Sequence, residues 1–236
     1  MRLRRGKERA RQGMILLEGP RLVRAARDAG VELEAVYVTD PADVLAHGVA
    51  HAAVVPDELI AQMATTEHPQ GVVAVARWRA GKAVPDGARR VLVLAGISDP
   101  GNAGTLVRSA AAFGWDAVVF TRGSCDPTNP KALRASAGAM FATTVVAGAD
   151  PVGLAVELGG AGFVGLAAST RGGVPPDAVD RSAPIAVFVG SEAHGLDRDL
   201  VDVLAAEVTV PTPGAVESLN AAAAGAVLTY ALAERG

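Results

Sequence analysis

One cysteine, Cys125, occurs in 236 residues. A lone cysteine excludes an internal disulfide and any metal site built from several thiolates, and it suits a reducing, cytoplasmic setting. Aromatic residues are scarce: five Phe, two Trp and two Tyr. Apolar residues still make up 50% of the chain. A core carried by Ala and Val, with abundant Gly, favours tightly packed α/β layers over an all-β sandwich. No apolar run approaches the roughly 20 residues of a membrane span. The basic N-terminus is not followed by an apolar signal core, so no membrane partner and no secretion signal are expected. Nucleophile and metal motifs are missing too. There is no G-x-S-x-G, no His/Cys spacing for a metal, no P-loop and no G-x-G-x-x-G.

Charge is present but unevenly placed. The net charge is −3. Through Asp28 nine basic residues face three acidic ones, which puts +6 on this arm and −9 on the rest of the chain. A basic arm on an acidic body can hold phosphates locally, or it can be a solvated terminus. Arg4, Arg5, Lys7, Arg9 and Arg11 are its candidate phosphate contacts.

Strands and helices alternate after the arm. Arg21 to Ala29 reads as a helix closed by Gly30, Leu33 to Val38 as a strand, and Asp57 to Ala64 as a helix. His68-Pro69-Gln70-Gly71 reads as a turn before the strand Val72 to Ala76. Residues 80–88 contain Gly81, Pro85 and Gly87 and read as a linker, separating a small domain (1–79) from a larger one (89–236). In the larger part, strands are expected at Val91 to Ala95, Ala117 to Phe120, Thr143 to Val146, Phe163 to Ala168, Ile185 to Val189 and Val208 to Val210. Helices are expected at Thr105 to Phe113, Pro130 to Ala137, Pro151 to Leu158, Asp197 to Leu204 and Ser218 to Glu234. Continuous apolar strands alternating with helices imply a mostly parallel sheet covered on both faces. Such sheets bind ligands at the carboxyl ends of their strands.

Three loops lie at those ends. The first runs Gly96 to Gly104, with Asp99-Pro100-Gly101-Asn102 as a turn. Arg108 follows one turn into the helix, as a lone charge on the side that can reach the loop. It either snorkels to a carboxylate or serves the site. The second is Gly190-Ser191-Glu192-Ala193-His194-Gly195-Leu196. Its glycines allow close backbone approach. Glu192 suits a ribose hydroxyl, an arginine or a capping role, and His194 reads as exposed and incidental. The third is Val208 to Tyr230, where Ser218 is placed to cap a helix and Asn220 falls in its first turn, a poor place for Asn. A ligand bed with an Arg, a Glu, a Ser and an Asn suits group transfer from a bound cofactor that carries the reactive bond.

These loops resemble a known family. Asp99–Gly114, Val189–Leu196 and Pro211–Asn220 are similar to the three motifs of the SpoU (TrmH-like) RNA 2′-O-ribose methyltransferases, in order and at suitable spacing. The stretch from Asp126-Pro127 through Lys131, Arg134, Ser136 and Gly138 resembles the family as well. Leu17-Glu18-Gly19 and His68–Val72 resemble the small RNA-binding domain that precedes many members. Ala193 departs from the pattern, where many members carry Gly.

The resemblance implies a SPOUT-type α/β domain with a deep trefoil knot, preceded by a small α/β domain of the ribosomal-protein L30e/L7Ae kind. It implies a homodimer that uses S-adenosylmethionine and no metal, with ribosomal RNA as the expected substrate. A tRNA substrate, an idle RNA-binding assembly factor and a nucleotide-binding metabolic enzyme stand as alternatives. Carried over by motif, Arg108 is the catalytic residue, Asn102 supports it, and Glu192, Ser218 and Asn220 are polar supports. Ala168, Ser169, Gly190, Val210, Thr212, Ser218 and Leu219 would hold the methyl donor, and Arg134 with Arg4, Arg5, Lys7, Arg9 and Arg11 of the arm would meet RNA.

Overall fold

Two sheets carry the chain. The computed structural model describes residues 2–42, 45, 49, 51–214 and 218–234. The expected loop around Ala215 to Glu217 falls outside them.

The N-terminal lobe starts with a short 3-10 turn at Arg2–Arg4 and helix α1 (Gly6–Gln12). Gly13 ends α1 at φ 66, a left-handed turn that suits glycine. The apolar run behind it forms β1 (Met14–Glu18). Then come α2 (Pro20–Asp28), β2 (Leu33–Val38), β3 (Ala52–Val54), α3 (Asp57–Met63) and β4 (Val72–Arg77). Their sheet has the order β1-β4-β2-β3. β4 is antiparallel to both neighbours, and β3 is parallel to β2.

The basic arm differs from its expectation. Arg9 is 4% exposed. Its Nη2 lies 2.6 Å from Asp126 Oδ2, and its Nε donates to Thr128 Oγ1 at 2.9 Å. The carbonyls of Leu3 and Arg4 accept from its Nη1. A guanidinium with its donors filled by its own chain holds α1 down rather than leaving it in solvent.

The C-terminal lobe runs β5 (Arg90–Ala95), α4 (Pro100–Ala112), β6 (Ala117–Thr121), α5 (Pro130–Ser136), β7 (Thr144–Ala149), α6 (Pro151–Gly160), β8 (Val164–Ser169), β9 (Ile185–Gly190), α7 (Arg198–Val201), β10 (Ala206–Thr209) and α8 (Ala221–Ala231). Its six strands lie in the order β10-β8-β9-β5-β6-β7, and every pairing is parallel. β5, β6 and β9 are buried along their whole length, as strands covered on both faces must be. Successive residues feed opposite faces. Leu92, Leu94, Phe120 and Val187 join a core that continues into the N-terminal lobe, while Val91, Val93, Val119 and Phe188 join a second one. The two lobes therefore share one apolar core.

Three helices start on an Asx-Pro pair. Asp99, Asn129 and Asp150 each accept a backbone N–H with the side chain, and a proline follows in the first helical turn. The expected turn at Asp99-Pro100-Gly101-Asn102 is thus the first turn of α4. The last helix is shorter than expected. Asn220 is its cap, accepting from Ala222 N at 2.9 Å and Ala223 N at 3.2 Å, so Ser218 lies outside it.

Residues 80–88 do more than connect. Gly81 pairs with Val146 at the edge of β7, donating to Val145 O at 2.8 Å. Val84 and Ala88 pack on the second core. This segment covers a strand edge that would otherwise be open.

Small residues let the helices close in. A Cβ on Gly104 would sit 2.4 Å from Ala132 O on α5, and one on Gly225 would sit 2.2 Å from Leu106 Cδ2 on α4. Arg90, 2% exposed, donates to the carbonyls of Leu232, Arg181 and Ala183. Trp115 Nε1 donates to Thr229 O at 2.9 Å. Together they fasten the end of α8 to the sheet.

Candidate active site

The carboxyl ends of β10, β8 and β9 are neighbours in the sheet. Over them opens a cavity of about 590 Å³, within the range of roughly 300–1,000 Å³ usual for small-ligand sites. Ala168 and Ser169 end β8, Val189 and Gly190 end β9, and Val210 follows β10. Thr212, Ser218 and Leu219 supply the loop wall. All seven residues expected at a methyl donor line this one cavity. Its back is α8, where Ala221, Ala224 and Leu228 share a face.

Gly190 shapes the floor. Ser191 and Gly195 exchange backbone hydrogen bonds of 3.2 and 2.8 Å, folding the loop back on the strand end. A Cβ on Gly190 would lie 2.3 Å from the carbonyl carbon and oxygen of Gly195. Glycine is required by contact here, and Gly195, at φ 68, is required by conformation. Ser169 Oγ lies 3.2 Å from Thr209 Oγ1, which also accepts from Gly173 N at 3.0 Å. These bonds hold the far wall.

Asn102, Glu192 and Asn220 form a cluster beside this cavity. Asn102 Nδ2 donates to Glu192 Oε1. Asn220 Nδ2 donates to the same oxygen at 3.0 Å and lies 3.4 Å from Asn102 Oδ1. Because Asn220 also caps α8, the helix start fixes the amide that holds the carboxylate. Asp99 steadies the other side. It accepts from Lys131 Nζ at 2.8 Å and from Asn102 N at 2.9 Å. The Lys131 hydrogen bond, and then the Asn102 amide, hold its carboxyl below the usual range. His194, read as incidental, also lines the cavity, as do Thr170 and Ser191. Only their position beside the loop glycines could have marked them.

Arg108 is not part of this cluster. It stands six residues beyond Asn102 on α4, about 9 Å along the axis and on a different face. There it lines a second cavity of about 370 Å³ between the lobes, shared with Arg21, His68, Gln70 and Arg134. Arg134 donates to Glu18 Oε2 at 2.9 Å and to Thr65 Oγ1 at 2.8 Å.

The other candidate RNA contacts scatter. Arg4 donates to the carbonyls of Gln62 and Ala64, Arg11 pairs with Glu8 at 2.7 Å, and Arg5 and Lys7 are exposed.

Other chemistry is limited. Burial, then Asp126 and Asp99, push the Cys125 thiol up to about 12, so it is no ready nucleophile. Among the described residues no three His, Cys, Asp or Glu side chains group to hold a metal, and no helix is long and apolar enough to cross a membrane.

A cavity over parallel strand ends, bordered by an amide–carboxylate cluster, marks the C-terminal lobe as an α/β domain with room for a small ligand at its strand ends. Residues 89–230 match the SpoU rRNA Methylase family, and residues 1–74 match the MRM3-like substrate binding domain. The chain belongs to the SpoU family of RNA methyltransferases. It is 34% identical over 230 residues to the 23S rRNA (guanosine(2553)-2′-O)-methyltransferase RlmP of Bacillus subtilis, covering 96% of this chain and 91% of that one. A Porphyromonas gingivalis structure assigned to the TrmH family of RNA methyltransferases superposes with a TM-score of 0.85 at 26% identity, covering 98% of this chain and 94% of that one. An rRNA methyltransferase from Sinorhizobium meliloti, solved with AdoMet bound, gives 0.84 at 25% identity, covering 98% and 90%.

Proposed function

We propose that the protein transfers a methyl group from S-adenosylmethionine to a ribose 2′-OH of 23S ribosomal RNA. The observation that carries this reading is the cavity over the ends of β10, β8 and β9 with Asn102, Glu192 and Asn220 beside it. Its lining fits the donor. Backbone groups and small side chains at Ala168, Ser169, Gly190, Val210, Thr212, Ser218 and Leu219 can offer hydrogen bonds and apolar contact to an adenosine. When bound, the donor supplies an electrophilic methyl on a sulfonium.

The residues of the chain do the rest. Methyl transfer is an in-line displacement, so orientation contributes much of the rate. Asn102 and Asn220 hold Glu192 in place beside the cavity, where its carboxylate can accept from a ribose hydroxyl. The Arg108 guanidinium, exposed on α4, suits a phosphate of the target nucleotide, and its positive charge favours ionisation of that nucleotide's hydroxyl. The domain division at residues 80–88, the trefoil knot, the L30e-like character of the N-terminal lobe and the cytoplasmic location belong to the same reading. So does a homodimer, which the exposed apolar side chains Phe113 and Tyr230, in edge contact between α4 and α8, support together with Val227. Ribosomal RNA is preferred to tRNA because the likeness to the 23S enzyme runs through both lobes.

Incubating the protein with methyl-tritiated donor and unmodified 23S rRNA, followed by alkaline hydrolysis, tests this. Alkaline cleavage uses the 2′-OH, so ribose methylation leaves the label in an alkali-stable dinucleotide. Label in a mononucleotide would place the methyl on a base and contradict the reading.

A further inference from the structure

The cavity that receives Arg108 belongs to both lobes. Arg21 and Leu22 of α2, Thr66 and the 68–70 loop face Arg108 of α4 and Arg134 of α5. The loop is held in place. Gly71 (φ 71) accepts from Thr39 N at 3.0 Å, a Cβ on Gly71 would lie 2.6 Å from Thr39 Oγ1, and one on Gly19 would lie 2.8 Å from Gln70 Oε1. His68 and Gln70 are thus carried on a positioned turn, and both side chains are exposed.

Charge in the cleft is one-sided. Three arginines line it against one carboxylate, Glu18, which is engaged by Arg134. Arg21 and Arg108 are exposed and have no hydrogen-bond or ion-pair partner among the described residues. Two unpaired guanidiniums lining one cleft raise its positive potential and favour an anion there. Planar guanidinium forks match phosphate, and an imidazole and a carboxamide alongside match the edges of a base or a ribose. The N-terminal arm, by contrast, has spent Arg9 on Asp126 and Arg4 on carbonyls.

We propose that this cleft seats the RNA backbone next to the target nucleotide, with Arg21 and His68 of the N-terminal lobe as positioning residues opposite Arg108. The inference rests on the RNA-methylation reading and adds a place and two residues to it. The RNA is gripped from both lobes at once, so the lobe-to-lobe packing sets where the 2′-OH arrives.

The test compares Arg21→Gln and His68→Gln with Arg24→Gln, which removes the same charge from α2 outside the cleft. Binding to deproteinised 23S rRNA is measured by filter retention at several KCl concentrations, and binding of S-adenosylmethionine by calorimetry. Arg21→Gln should weaken RNA binding roughly 10-fold and reduce the slope of log K against log salt by about 0.7–0.9, one phosphate contact. His68→Gln should weaken binding roughly 3-fold. Arg24→Gln should change affinity less than about 2-fold, and donor affinity should stay the same in all three. With RNA concentration varied, Arg21→Gln should raise KM and leave kcat within about 3-fold, the mark of lost ground-state binding. Equal affinity and equal slope for Arg21→Gln and Arg24→Gln would overturn the cleft. Because the comparison reads binding, it also decides the matter for a wild-type protein that binds RNA but transfers no methyl, the result that defeats the methylation reading alone.

Discussion

The two cavities are built from different material. The one over the strand ends is lined mostly by backbone, small residues and short hydroxyls, with Glu192, His194 and Asn220 as its longer polar side chains, and its shape is set by contacts such as that of Gly190 with Gly195. The one between the lobes is lined by long charged side chains from segments far apart in the chain, with Arg21, Arg108 and Arg134 among them. A seat made of backbone recognises by shape and hydrogen bonds and tolerates no added atom. A seat made of charges recognises by field, responds to salt and tolerates substitution in small steps. One suits a small cofactor held in a fixed pose, and the other suits a strand of nucleic acid.

The sharpest way to break this contrast is Gly190→Ala. Overpacking the cavity floor costs about 1–3 kcal/mol, which, carried into the donor pose, corresponds to roughly 5- to 150-fold weaker donor binding. RNA affinity in the other seat should not move. Calorimetry with S-adenosylmethionine beside RNA filter binding checks both at once, and a parallel loss of the two would dissolve the distinction.

A smaller effect separates arginines that build from arginines that are free. Arg9→Ala removes a buried guanidinium bonded to Asp126, Thr128 and two carbonyls. With Asp126 40% exposed and able to rehydrate, the loss should be about 2–3 kcal/mol, lowering Tm by roughly 5–10 °C. Arg11→Ala breaks an exposed pair in which Arg11 is 63% exposed and should cost about 0.5 kcal/mol or less. Thermal unfolding of both variants checks this. Equal, near-zero shifts would return Arg9 to the solvent-facing arm.

The strand-end cavity was the more legible of the two in the sequence. Apolar runs at Val91–Ala95 and Ile185–Val189 announce buried parallel strands, and the loops after such strands are where ligands bind. The pairs Asp99-Pro100, Asn129-Pro130 and Asp150-Pro151 mark helix starts by cap chemistry, and reading the first as a turn only delayed α4 by a few residues. The end of the chain was harder. Ser218 and Asn220 are both competent caps two residues apart, and the choice falls to Asn220, whose amide also bonds Glu192, 28 residues away. Local pattern cannot see such a partner. β3 was invisible for a related reason: all three of its residues are exposed, so it shows no alternation. The cleft was harder to read, because Glu18, His68, Arg108 and Arg134 belong to separate stretches that meet only once β1 packs beside α5, which in turn packs on α4. The charge asymmetry of the first 28 residues marked the stretch that holds Arg21, while Arg9 and Arg4 of the same stretch are bonded within the chain.

The most direct measurement is a salt titration of both ligands on the unmodified protein, from 50 to about 300 mM KCl. If one seat is backbone and the other charge, the affinity for S-adenosylmethionine should change less than about 2-fold while that for 23S rRNA falls by roughly 100-fold or more. RNA binding as indifferent to salt as donor binding would contradict the account.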